Sequence, residues 1–211
     1  MRMRRKRNLT ARIEQCAEYL VDDPVSLRGL WRSVFQFSEL HIELGCGKGL
    51  FTIETAKASP DVFIAALEKM ENVIVAALER TAANGLRNVR YINANADNLS
   101  DFFAPAEASR IYINFCDPWP ADRHAKRRLT HRRFLEQYKL LLRHEGEVHF
   151  KTDNLPLFEF SLDEFLNSGF RLCSVKHDLH KDGPCGIMTD YEMKFYEKGL
   201  PIAQCVFASQ G

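Results

Sequence analysis

The strongest constraint on how this chain folds is the way two hydrophobic periods take turns along it. Short apolar runs with the length and residue types of strands, LHIEL (40–44), VFIAALE (62–68), VRYINAN (89–95), RIYINFC (110–116) and EVHFKT (147–152), alternate with segments of helical spacing. Those segments are LFTIETAKA (50–58), MENVIVAALERTAAN (70–84), closed by Gly85, and LTHRRFLEQYKLLLRH (129–144), ending at Gly146. Further on, PLFEFSLDEFLNSG (156–169) predicts a helix, FRLCSVKHD (170–178) a strand, YEMKFYEKG (191–199) a short helix and IAQCVFA (202–208) a last strand. Ahead of them all, Ile13, Ala17 and Leu20 share one face of a helix predicted over 10–21, with Thr10 as its N-cap. Parallel neighbours need a crossover to join them, so this alternation predicts an α/β fold, a mostly parallel sheet with helices on both faces. Ligands of such sheets sit outside the carboxyl ends of the strands.

A chain of 211 residues without repeats or a low-complexity linker fits one domain, with residues 1–27 as a basic arm and N-terminal helix and 28–211 as the core. No apolar run reaches membrane-spanning length, and the basic start MRMRRKR lacks the apolar stretch of a signal peptide, so the expectation is a cytoplasmic protein with no membrane partner. The six cysteines are scattered, with no C-x-x-C pair, and the histidines show no HExxH-like spacing. Reduced thiols and no metal are expected, and small buried thiols explain Cys46 and Cys116 better than catalysis does. The net charge of +1 hides a segregation: residues 1–12 carry six Lys/Arg and no acid, and residues 110–133 carry seven against Asp117 and Asp122. Two basic segments on an otherwise acidic body predict a polyanionic partner met at a defined place.

The first strand runs into ELGCGKGLF, a glycine-rich turn that opens a helix. It is not the dinucleotide fingerprint, because Leu50 stands where the third glycine belongs, and it is not a P-loop, because no Ser or Thr follows Lys48. G-x-G-x-G after an acidic residue is the pattern of S-adenosylmethionine methyltransferases, where backbone at Gly45 and Gly47 must approach a cofactor without phosphates. Glu43, a carboxylate in a strand expected to be buried on both faces, calls for a cation or donors to meet it. Glu68, ending the next strand, is suited to accept from ribose hydroxyls. The third strand ends in NANAD, where Asn95 or Asp97 is suited to read an adenine edge. The fourth ends in DPWP: Asp117, then Trp119 between Pro118 and Pro120, which fix the backbone so that carboxylate and indole are held in place before substrate arrives. An aromatic ring beside a carboxylate suits a purine base, and the cations that follow, Arg123, Lys126, Arg127, Arg128, Arg132 and Arg133, suit phosphates.

RGLW (28–31), IELGCGKG (42–49), NFCDPWP followed by RHAKRRLTHRRF, FKTDN (150–154) and TDYEMKF (189–195) together resemble the TrmB family of tRNA (guanine-N7)-methyltransferases, from about residue 28 onward. The resemblance implies a Rossmann-like class I methyltransferase fold, a seven-stranded, mostly parallel sheet with an antiparallel last strand, and a guanine of the tRNA variable loop as target. It implies that Glu43, Glu68 and Asp117 bind S-adenosylmethionine, that Asp117 is also the catalytic position, and that Asp153, Thr189, Asp190, Tyr191 and Glu192 bind tRNA. Two positions depart from the family pattern: Asn95 stands where Asp is usual, and Ala121 where Lys follows DPWP, leaving Arg123 or Lys126 to compensate. Whether the chain is a monomer or a homodimer stays open.

Guanine N7 already has a free lone pair, so no strong general base is required and catalysis would be mostly in-line alignment. Asp117 is expected to anchor the base or the cofactor, and Glu192 or Asp153 to accept from the donor edge of guanine. Two other readings use the same residues. D-P-W is similar to the D-P-P-aromatic turn of amino-methyltransferases, which would act on an exocyclic amine. A non-catalytic RNA-binding module would keep the fold alone, against which the intact Glu43, Gly45 and Gly47 argue.

Overall fold

A computed structural model describes residues 7–210, so the first six residues of the basic arm lie outside the described residues. Two short helices, α1 (Leu9–Glu14) and α2 (Trp31–Phe35), precede the alternating part of the chain. There β1 (Glu39–Leu44), α3 (Leu50–Ala58), β2 (Val62–Leu67), α4 (Glu71–Asn84) and β3 (Val89–Ile92) follow in turn. After α5 (Leu99–Phe102) come β4 (Ala108–Asn114), α6 (Arg132–Leu141), β5 (Leu142–Thr152), α7 (Leu155–Asn167), β6 (Arg171–Lys176), α8 (Asp190–Glu197) and β7 (Ala203–Ala208). The strands form one seven-stranded sheet in the order β3-β2-β1-β4-β5-β7-β6. The pairs from β3 to β5 are parallel, and β7 runs antiparallel to both of its neighbours. This is the α/β sheet that the alternation predicts, with the reversed last strand that the resemblance implies.

Strand periodicity sorts the core. Leu40, Ile42 and Leu44 of β1 join Phe63, Ile111, Ile113, Val148 and Phe150 in one large cluster, while Ile64, Ala66 and Tyr91 pack with Ile74, Ala77 and Leu78 of α4 in a second. Each Leu, Ile, Val or Phe side chain so removed from water stabilises by about 1.5–3 kcal/mol. The alternate residues of β1, His41 and Glu43, are buried as well, so this strand is enclosed on both faces. Trp31, the aromatic of RGLW, is wholly buried, and its indole N–H donates to the Phe102 carbonyl at 2.8 Å. Among the described residues no helix is long and apolar enough to cross a membrane.

Four expectations shift. The helix predicted over 10–21 stops at Glu14. Residues 17–19 form a 3-10 turn and Leu20 then bridges Tyr91 beside β3, trading helical bonds for a pairing at the sheet edge. Thr10 lies inside α1, whose N-cap is Asn8. The helix predicted to run to His144 ends at Leu141, because Leu142 already pairs with Ala108. Gly146 therefore marks an irregularity inside β5 and not a helix end: a Cβ there would lie 2.9 Å from the Arg143 carbonyl, and the register of β4 against β5 slips beside it. Arg12, one of the cations of the basic start, forks onto Glu79 of α4 at 2.6 and 2.7 Å and so is spent on packing α1.

Candidate active site

Chain order and sheet order diverge between β1 and β4, and the crevice beyond their carboxyl ends is the place such sheets offer a ligand. A cavity of about 530 Å³ opens there, its wall taken in turn from the ends of β1 (Leu44, Gly45), β2 (Glu68 to Met70), β3 (Ala94 to Asp97) and β4 (Asn114 to Asp117, then Trp119). Gly45 and Trp119 thus face one space, as the sequence reading requires of a methyl donor and a purine.

The glycine turn is fastened to the sheet before any ligand is considered. Gly45 and Cys46 both donate to the Leu67 carbonyl at 2.9 Å, and the Gly47 N–H donates to Glu68 Oε2 at 3.2 Å. Gly49, at φ +78°, is the position that tolerates no side chain: a Cβ would lie 2.7 Å from the Ala77 Cβ and 2.8 Å from the Tyr91 hydroxyl. Glu68 also accepts from the Met70 N–H at 2.8 Å, so each of its oxygens holds one backbone donor and keeps a lone pair for another. Glu43 stands behind the turn and outside the cavity wall. It accepts from Thr52 Oγ1 at 2.5 Å, and burial pushes it up to about 7 against the pull of Thr52, Asn114 and Lys151. Asn114 lines the cavity, while its buried Nδ2 turns toward Glu43 without reaching the geometry of a full hydrogen bond. Exposed backbone at the turn and a carboxylate with spare acceptor capacity suit a ligand that brings hydroxyls.

The DPWP turn is held by a residue with a different expected job. Trp119 has a left-handed backbone at φ 41°, as has Phe115 at φ 53°, and conformations of this kind persist only where neighbours enforce them. The enforcing neighbour is Arg128. Its Nε lies 3.1 Å from the Pro118 carbonyl and 3.3 Å from that of Trp119, its Nη2 3.0 Å from the latter, and its guanidinium rests 4.3 Å over Phe160. Arg127 lies over the Trp119 ring at 4.8 Å, and His124 meets that ring edge-on. Arg132 takes Glu164 through its backbone and side chain, and Arg133 pairs with Asp97 at 2.6 Å. Of the six cations expected to contact phosphate, Arg127 and Arg128 are engaged at the turn and Arg132 and Arg133 on carboxylates, which leaves Arg123 and Lys126, among the described residues, without a hydrogen bond, ion pair or ring contact. Asp117 itself is exposed and pairs with Lys69 at 3.4 Å, and Asn95 turns its amide to Asp97.

The distal motif folds back beside the cavity. Thr189 caps α8 in a capping box with Glu192, and Tyr191 donates to Asp153 at 3.3 Å and packs 5.0 Å from Phe115, a residue of the cavity wall. Glu192 has no exposed surface. Lys151 Nζ lies 3.0 and 3.1 Å from its two oxygens, and His180 Nε2 lies 3.0 Å from one of them. The expected contact of Glu192 with the guanine edge does not fit this burial, which satisfies the carboxylate from inside the protein. Burial also pushes up the thiols of Cys46 and Cys116, the latter to about 12, so both are protonated at neutral pH.

The family model described as a putative methyltransferase matches residues 38–205. The tRNA (guanine-N(7)-)-methyltransferase of Geobacillus kaustophilus is 46% identical over 97% of this chain and 95% of its own length. That of Geobacillus thermodenitrificans is 45% identical over 97% and 96%. The chain belongs to the tRNA (guanine-N(7)-)-methyltransferase family. Among solved structures, the fold is similar to that of the 16S rRNA methyltransferase KamB, with a TM-score of 0.66 at 14% identity, covering 99% of this chain and 96% of that one.

Of the positions that the tRNA (guanine-N(7)-)-methyltransferase resemblance marks, Glu68, Asn95 and Asp117 share the cavity with Gly45, and Gly47 adjoins it through Glu68. Asp153 and Tyr191 border it through Phe115, whereas Glu192 is wholly buried and the partly exposed Thr189 and Asp190 are engaged with Glu192 and Arg80. Arg123 and Lys126 lie on the exposed 3-10 segment Asp122–Arg127. Sequence reasoning missed Asn114 and Lys69. A polar residue closing an otherwise apolar strand was the visible signal for the first; nothing local marked the second.

Proposed function

We infer that this chain is a tRNA (guanine-N7-)-methyltransferase that uses S-adenosylmethionine and acts on a guanine of the tRNA variable loop. The observation that carries the reading is near-full-length relationship at 46% identity to a protein of that name, in a chain whose glycine turn and Trp119 face one cavity. The donor and acceptor set fits the cofactor. Glu68 would take the ribose diol on its free lone pairs, the Asn114 amide and the backbone beyond Gly45 would meet the amino-acid end, and Asn95 or Asp97 would read the adenine. Glu43 would act through the turn it underlies, by way of Thr52. When bound, the cofactor supplies an activated methyl group.

The residues of the chain would then position the purine. Trp119, held left-handed by Arg128, offers a ring face to guanine, and Asp117 orients the base from the same turn while Lys69 balances its charge. No proton leaves N7 on methylation, so the absence of a well-placed base is no obstacle; what the site contributes is alignment. Asp153 with Tyr191 forms the polar contact on the second side, and Arg123 and Lys126 contact phosphates. Incubation with labelled methyl donor and bulk tRNA, followed by nucleoside analysis, tests the reading: 7-methylguanosine is expected, and a label on an exocyclic amine, or none at all, would overturn it.

A further inference from the structure

One stripe of α4 runs from the cavity to the distal motif. Val73 lines the cavity, Ala77 stands beneath Gly49, and Arg80 places Nη1 3.2 Å from the Lys48 carbonyl of the glycine turn. Spacings of four and three keep these residues on one helix face. The same guanidinium also reaches the first residue of α8, with Nη1 2.8 Å from Asp190 Oδ2 and Nη2 3.4 Å from Asp190 Oδ1. At that end the helix is rigidly set: its capping box is complete, and buried Lys151 holds both Glu192 and the Ile187 carbonyl, at 2.9 Å for the latter. Tyr191, next to Asp190, touches Phe115 in the cavity wall and Asp153 beside it. A single side chain therefore joins the glycine turn beside the cavity to the first residue of α8.

We propose that Arg80 is a positioning residue which couples occupancy of the glycine turn to tRNA capture by Asp153 and the start of α8, an inference that rests on the proposed function. The planar fork of arginine serves a carbonyl and a carboxylate at once, which the point charge of lysine does not. The Arg80–Asp190 pair is substantially exposed, and pairs of that kind add little to stability, so a folding role and a coupling role make different forecasts. Coupling between two binding sites is reciprocal: whatever factor tRNA applies to cofactor affinity, cofactor applies to tRNA affinity.

The test measures binding of S-adenosylhomocysteine, which cannot react, by calorimetry with and without saturating unmodified tRNA, alongside methyl transfer to the same tRNA. The wild-type protein is expected to bind it at least about fivefold tighter with tRNA present. In Arg80→Gln the ratio falls to within about twofold of one while affinity without tRNA stays near that of the wild type. Asp190→Asn cuts the same link from the other end and lowers the ratio in the same way. A wild-type ratio of one, or a wild-type ratio retained in both variants, overturns the role of Arg80. Wild-type protein that shows the ratio yet forms no 7-methylguanosine counts against the proposed function instead.

Discussion

Replacing Arg128 with lysine should separate the shape of the purine pocket from the binding of the cofactor. The guanidinium makes three contacts of 3.0–3.3 Å with two carbonyls, one nitrogen being shared, which amounts to about two charge-assisted hydrogen bonds. An ammonium at this place keeps one of them and loses the planar contact with Phe160. A hydrogen bond from a charged group is worth about 1.5–3 kcal/mol, so the loss is about 2 kcal/mol or somewhat more. The left-handed Trp119 stores strain of the same order, roughly 1–3 kcal/mol, which the clamp opposes. Without it the turn relaxes, and the competent arrangement becomes a minor population whose fraction scales the apparent affinity for RNA directly. Two kcal/mol corresponds to roughly a thirtyfold fall in kcat/KM for tRNA. Steady-state methyl transfer at varied tRNA gives that number, calorimetry with S-adenosylhomocysteine should show affinity within about threefold of wild type, and urea unfolding reports the stability loss separately. Wild-type kcat/KM together with the full loss of stability would refute the argument, since it would mean that the turn is irrelevant to the substrate.

The remaining expectations follow from single contacts. Glu43 holds its proton up to about pH 7 when folded but releases it near 4.5 when unfolded, so its contribution is present at low pH and lost as pH rises through 7. Glu43→Gln, which keeps an acceptor for Thr52, should therefore gain stability relative to wild type between about pH 4.5 and pH 7, at up to about 1.4 kcal/mol per pH unit, and hold a level difference above that. His41, which burial lowers to about 4, titrates in the opposite sense but is common to both proteins and cancels in the difference. Parallel stability curves for the two proteins would refute this. Gly49→Ala should cost about 2–4 kcal/mol in urea unfolding, from left-handed strain and from the 2.7 Å approach to Ala77; a cost below about 1 kcal/mol would show that α4 gives way. Arg123→Gln with Lys126→Gln should lower the slope of log tRNA affinity against log salt by about one to two, and an unchanged slope would place the phosphate contacts elsewhere.

The parts of the fold that were legible in the sequence are those where period and burial agree. β1, β2 and α3 are recovered almost to the residue because apolar runs bounded by turn residues leave no competing pattern. The misread stretch around residues 142–146 shows why other parts were not. Its run of leucines continues a helical pattern, and only the neighbouring strand β4, distant in sequence, decides that Leu142 belongs to the sheet. The same division runs through the site. Strand-end residues such as Glu68 and Asp117 could be found because sheet architecture says where strand ends meet. The uses of Arg128, Arg132 and Glu192 could not, because a charge run looks alike whether it faces phosphate or is consumed by carbonyls and carboxylates folded against it.

The position of β7 between β5 and β6 has a consequence for how the molecule is made. During synthesis β6 emerges long before Ala203–Ala208, and until that later strand slides into the gap, β6 has no neighbour to receive its backbone hydrogen bonds. The five strands that run from β3 to β5 can assemble in the order of translation, while the far edge must wait and be threaded last.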